Sequence, residues 1–87
     1  MMTERPFVLN ILSPEKTLFE GKVTRVLLPG GKEPFTVLYN HAPLLSTLQS
    51  GTIKWSGAAN GNIDITGGFV EVKDNVVIVC VETEKRV

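Results

Sequence analysis

The sequence predicts an all-β fold, a sandwich or a barrel, and three observations carry that prediction. Five prolines and eight glycines are spread through the 87 residues. They punctuate β-rich runs with turn signals roughly every 8–12 residues, the spacing of all-β domains. No segment shows apolar residues at helical spacing between a start and a stop signal.

The first strand is read at 7–12, where Phe7, Leu9 and Ile11 alternate with Val8, Asn10 and Leu12. Ser13, Pro14, Glu15 and Lys16 form a turn, with Pro14 suited to its second position. A short second strand covers 17–20 and is expected to end at Gly21. A third covers 23–28. Its adjacent polar residues Thr24 and Arg25 break strict alternation, so a bulge there would bring Val23, Val26 and Leu28 to one face. Residues 29–34, Pro-Gly-Gly-Lys-Glu-Pro, carry the strongest loop signal. The fourth strand is read at 35–39 and the fifth at 44–49. Between them, Pro43 lacks an N–H and pushes Ala42 toward extended geometry, while Asn40 tolerates a left-handed turn.

Strands at 52–55 and 62–66 follow, with Ile53, Trp55, Ile63 and Ile65 inward and Asn60-Gly61 in the hairpin loop between them. Gly67-Gly68 implies a close backbone approach. The strand at 69–72 turns Val70 and Val72 to one face and Phe69 and Glu71 to the other. A tight turn at 73–75 leads into 76–81, apolar on both faces and read as a covered central strand containing Ile78 and Cys80. The count is nine or ten strands in a single domain, 1–87, with its core in 7–82.

Nine Lys and Arg balance nine Asp and Glu, so nucleic-acid binding and attraction to an anionic membrane lack their usual driving force. The longest apolar runs are far shorter than a membrane span, and no direct membrane insertion is expected. The single cysteine, Cys80, excludes an internal disulfide. One His and one Cys do not make a zinc site, and no cofactor is implied. His41 is the one imidazole available as a general base, and no convergent nucleophile or carboxylate can be assigned to it from sequence. The glycine pairs are not followed by a helix, so they read as turns and not as phosphate loops. Phe69, outward beside Glu71, would mark a docking surface if it joined an apolar patch with Val77 or Val79.

Three motifs in order carry a resemblance. Leu12-Ser13-Pro14-Glu15 is followed by Leu18-Phe19-Glu20-Gly21. Next comes Val37-Leu38-Tyr39-Asn40-His41-Ala42-Pro43-Leu44-Leu45, and then Ile65-Thr66-Gly67-Gly68-Phe69-Val70-Glu71-Val72 before a valine-rich strand. Together they resemble the N-terminal β-sandwich of the epsilon subunit of F-type ATP synthase, called delta in mitochondria. The resemblance implies a two-sheet sandwich of about ten strands at the foot of a rotor. It implies contact with the gamma subunit and the polar loops of the membrane c-ring, and an indirect link to the alpha/beta catalytic head. By motif position, Gly31, Lys32, Glu33, Pro34 and His41 fall on the c-ring side. Ser13, His41, Leu45 and Ser46 fall near gamma, joined there by the outward Phe69.

The resemblance further implies a non-catalytic subunit in a bacterial cytoplasm, peripheral on the inner face of the cell membrane. The sequence departs from the family pattern where Thr36 replaces a common glycine, Tyr39 a common proline and Pro34 an often acidic residue. The family continues into a C-terminal helical hairpin, so the expectation here is a coupling subunit without that regulatory arm and without saturable ATP binding. The alternatives are a free-standing β-sandwich binding module and a small hydrolase using His41.

Overall fold

The computed structural model describes residues 4–84, and every regular element among them is a strand. The strands are β1 (Phe7–Leu12), β2 (Thr17–Leu28), β3 (Phe35–Val37), β4 (Leu44–Leu48), β5 (Gly51–Gly57), β6 (Gly61–Ile65), β7 (Gly67–Lys73) and β8 (Val76–Glu82). Their hydrogen-bonded order is β4-β7-β8-β1-β2-β5-β6, with β3 also on β2. All pairings are antiparallel except that between β1 and β8.

The long β2 makes this ladder a two-layer sandwich. Its first half, from Thr17 to Val23, pairs with β1. Its second half pairs with β3 through Val26, Leu27 and Leu28, and with β5 from Val23 to Leu27. One layer is therefore β4-β7-β8-β1 with the start of β2, and the other is β3 and β5-β6 around its end. A bridge between Gly30 and Leu48 ties the end of β2 back to β4. The inward faces meet in one core that includes Leu9, Ile11, Val70, Val77 and Val79 from the first layer and Val26, Leu28, Val37 and Ile53 from the second. Each such aliphatic side chain contributes roughly 1.5–3 kcal/mol by leaving water.

The bulge expected near Thr24 is present. The register between β2 and β5 shifts between Val23 and Arg25, and Val23, Val26 and Leu28 are all fully buried. Among the described residues the strand count is eight, not nine or ten, because the expected second and third strands are one. Gly21 does not end a strand but pairs with Leu9 inside β2. The Phe19 ring lies over it, 3.2 Å from where a Cβ would stand. A glycine in a strand can mark a place where another group approaches the backbone, and here that group is an aromatic ring.

Two other expectations are corrected. β3 stops at Val37 rather than at Tyr39, and β4 stops at Leu48. Val76–Glu82 is a central strand, but its second face is only partly covered. Val77, Val79 and Val81 are buried, whereas Ile78 and Cys80 are half-buried on the outer side. Neither Ile78 nor Cys80 belongs to the core.

Candidate functional site

The site begins with a four-residue turn. The main-chain N–H of His41 donates to the Leu38 carbonyl at 3.1 Å. Asn40, third in that turn, has φ 64°, and Tyr39 before it is not among the positive-φ residues. This is the backbone of a type II turn, which favours Gly or Asn at that third position. The turn ends β3 and throws His41 and Pro43 to the head of β4. The His41 Nδ1 lies 2.8 Å from the Ala42 carbonyl oxygen. A carbonyl only accepts, so Nδ1 carries a proton in this contact. The contact given for the ring is to its own backbone neighbour and not to a hydroxyl or carboxylate.

The loop 29–34 closes onto the same region. Gly31 donates its N–H to the Thr47 carbonyl at 3.1 Å, and Gln49 donates to Pro29 at 2.9 Å. A Cβ on Gly30 would lie 2.8 Å from the Phe35 ring, and one on Gly31 would lie 2.9 Å from Thr47 Oγ1. Both glycines are therefore needed for the loop to lie flat along β4. The result is a groove of about 500 Å3 between the loop and the corner. Of the residues expected on the c-ring side, Gly31, Lys32, Glu33 and His41 line it, and so does Ser46 from the gamma set. Pro34 is exposed beside it and is not part of its lining.

The remaining residues expected near gamma lie on the outer face of the first layer. Ser13 and Phe69 share a second groove, about 350 Å3, with Leu12, Pro14 and Cys80. Ser13 is held by reciprocal bonds with Lys16, its main-chain N–H donating to the Lys16 carbonyl at 2.8 Å and its Oγ accepting from the Lys16 N–H at 3.2 Å. Leu45 stands opposite Glu71 on the β4–β7 ladder, and Thr47 stands opposite Phe69. Leu45 is 73% exposed and Phe69 48%. Phe69 pairs with Cys80, and Glu71 with Ile78. The apolar company of Phe69 is thus Cys80 and Leu12, not Val77 or Val79, which point into the core. The gamma set is divided, with Ser13, Leu45 and Phe69 on the outer face and His41 and Ser46 at the groove.

Two contacts that reasoning from sequence did not find anchor the corner. Asn40 and Asn75 exchange hydrogen bonds across two loops. The Arg5 guanidinium stacks on the Tyr39 ring, 4.7 Å from its centroid, a cation–π contact. No short-range signal announces either pair. Among the described residues no cluster of His, Cys, Asp or Glu is arranged to hold a metal ion.

The described residues thus form an all-β sandwich with a loop-lined groove and an uncovered apolar face at its surface. The sequence comparison is more particular. Residues 6–87 match the family model described as ATP synthase, Delta/Epsilon chain, beta-sandwich domain, and the chain belongs to that family. The ATP synthase epsilon chain of Leptospira borgpetersenii is 44% identical over 70 residues, 79% of this chain and 55% of that protein. That of Desulfitobacterium hafniense is 39% identical over 80 residues, 88% of this chain and 59% of that protein. The chain thus spans just over half the length of these relatives. The epsilon chain of Chlorobium limicola is 38% identical over 82 residues, covering 92% of this chain and 93% of that one.

Among solved structures, a chain of the Tetrahymena thermophila mitochondrial ATP synthase central stalk/c-ring superposes with a TM-score of 0.76 at 18% identity, covering 93% of this chain and 66% of that one. A chain of the Euglena gracilis mitochondrial ATP synthase, from an OSCP/F1/c-ring assembly, gives 0.81 at 19%, covering 87% and 50%. At those identities the likeness is one of fold.

Proposed function

We propose that this chain is the rotor epsilon subunit of a bacterial F-type ATP synthase, coupling c-ring rotation to the catalytic head through gamma. In this reading the loop 31–34 and His41 meet the polar loops of the c-ring. The outer face around Leu45 and Phe69, with Ser13 at its edge, takes gamma. The subunit is peripheral on the inner face of the cell membrane. The observation that supports it most is that the loop before β3 and the His41 corner after it line one groove beside an uncovered apolar face.

The physics suits the task. A rotor foot must transmit torque without deforming, and interdigitated layers packed at crystal-like density resist deformation. A standard interface covers about 800 Å2 per partner, with an aromatic anchor at its centre and polar residues at its rim. Phe69 supplies such an anchor, and Glu71 and Lys73 such a rim. The test is recovery of the tagged chain from membranes of its own cells. Gamma and c subunits should come with it in fixed ratio. Recovery of the chain without them would favour a free-standing binding module.

A further inference from the structure

The geometry points to Asn40 and Asn75 as a pair of positioning residues that hold the His41 wall of the groove rigidly to the rest of the sandwich. The inference rests on the reading that this groove meets a partner. Asn40 lies in the turn that carries His41, and Asn75 lies in the two-residue loop between β7 and β8. Asn75 Oδ1 accepts the Asn40 main-chain N–H at 2.6 Å, and Asn75 Nδ2 donates to Asn40 Oδ1 at 2.9 Å. The pair is closed, since each side chain satisfies the other residue and neither turn can shift alone. The Asn75 carbonyl also accepts the Val8 N–H at 3.1 Å, so the same residue grips the start of β1.

Both asparagines sit at positive φ, 64° and 63°. Glycine would satisfy that backbone with less strain. An asparagine at such a site supplies an amide that glycine lacks, and here the Asn75 amide bonds both the main chain and the side chain of Asn40. Leu38, Tyr39 and Asn40 lie outside any strand, so without this pair the corner is fastened by the His41–Leu38 turn bond and the Arg5–Tyr39 stack. The opposite wall needs no such device, because Gly31 donates its N–H directly to Thr47 of β4 and Gly30 stands in a bridge opposite Leu48.

Glycine substitutions separate the amides from the backbone geometry. Asn40→Gly, Asn75→Gly and the double variant all keep positive φ accessible, so folding survives in each. Hydrogen exchange on the full chain supplies a readout without a partner. The His41 amide is expected to exchange at least tenfold faster in Asn75→Gly and the double variant, and by a smaller factor in Asn40→Gly, which keeps the main-chain bond to Asn75 Oδ1. The Gly31 amide, on the other wall of the same groove, should hold its rate. Asn75→Gly removes both bonds, whereas Asn40→Gly removes only the one to its side chain and keeps the main-chain donor, so the double variant should be no worse than Asn75→Gly alone. Equal acceleration at Gly31 would mean general destabilisation and would overturn the inference, as would an unchanged His41 rate.

Binding to purified gamma–c-ring rotor is the second readout. Affinity should fall about tenfold in the variants, measured well below their melting temperatures. Unchanged affinity with a loosened corner would overturn the positioning role alone. Failure of the wild-type chain to bind would instead count against the proposed function, and the exchange result would stand.

Discussion

At the Gly68 position the backbone has φ +152°, and a Cβ there would run into the Cys80 carbonyl oxygen with the Val81 Cα only 3.0 Å away. The Gly67-Gly68 pair was legible in the sequence because one residue type alone permits that approach. Gly68→Ala is expected to destabilise the fold by about 2–4 kcal/mol, combining backbone strain with a clash against a neighbouring strand. Urea unfolding measures it. Glu4 is a contrasting surface case. Its carboxylate accepts a 2.6 Å hydrogen bond from Arg25. That bond, then one from Thr24, holds its pKa below the ordinary carboxylate value. A lowered folded pKa stabilises above the unfolded value and is lost as pH falls through the folded one. Both side chains are exposed to solvent, so Glu4→Gln should leave the melting temperature near neutral pH almost unchanged. It should also abolish any acid-dependent release of the segment before β1, followed by exchange at Arg5.

Among the elements, the bulge in β2 could be read from two adjacent polar residues because alternation has a strict period of two. Gly21 misled because a glycine reads the same whether it stops a strand or makes room for Phe19. Ile78 and Cys80 misled for a related reason. An apolar run on both faces of β8 looks identical whether the second layer belongs to the same chain or to a partner. The loop 29–34 was legible as a loop from its Pro and Gly content, but its closure onto β4 depends on contacts distant in sequence. The loop and the core should therefore respond differently to mutation. Lys32→Ala and Glu33→Ala, both exposed, should change stability by less than about 0.5 kcal/mol and weaken rotor coupling, read as ATP-driven proton pumping in reconstituted membranes. Val79→Ala, with its side chain fully buried, should cost about 2–3 kcal/mol. If the loop variants melted as early as Val79→Ala, the loop would be a structural element and not a contact surface.

For the molecule as a whole, membership of the ATP synthase delta/epsilon sandwich family fits the all-β fold of the described residues, which carries grooves at its surface. The family resemblance was legible because three motifs keep their order and spacing. The division of contact residues between grooves was not, because it is set by which strands pair. Small domains bury a limited fraction of their surface, so an apolar face left in water costs stability that a partner restores. The most direct test is the affinity of the chain for isolated gamma–c-ring rotor, measured by titration for the wild type and Phe69→Glu. The account predicts saturable wild-type binding, about 100-fold weaker binding for Phe69→Glu as expected of a central anchor, and the same melting temperature for both. Equal affinities, or no saturable binding by the wild type, would contradict it.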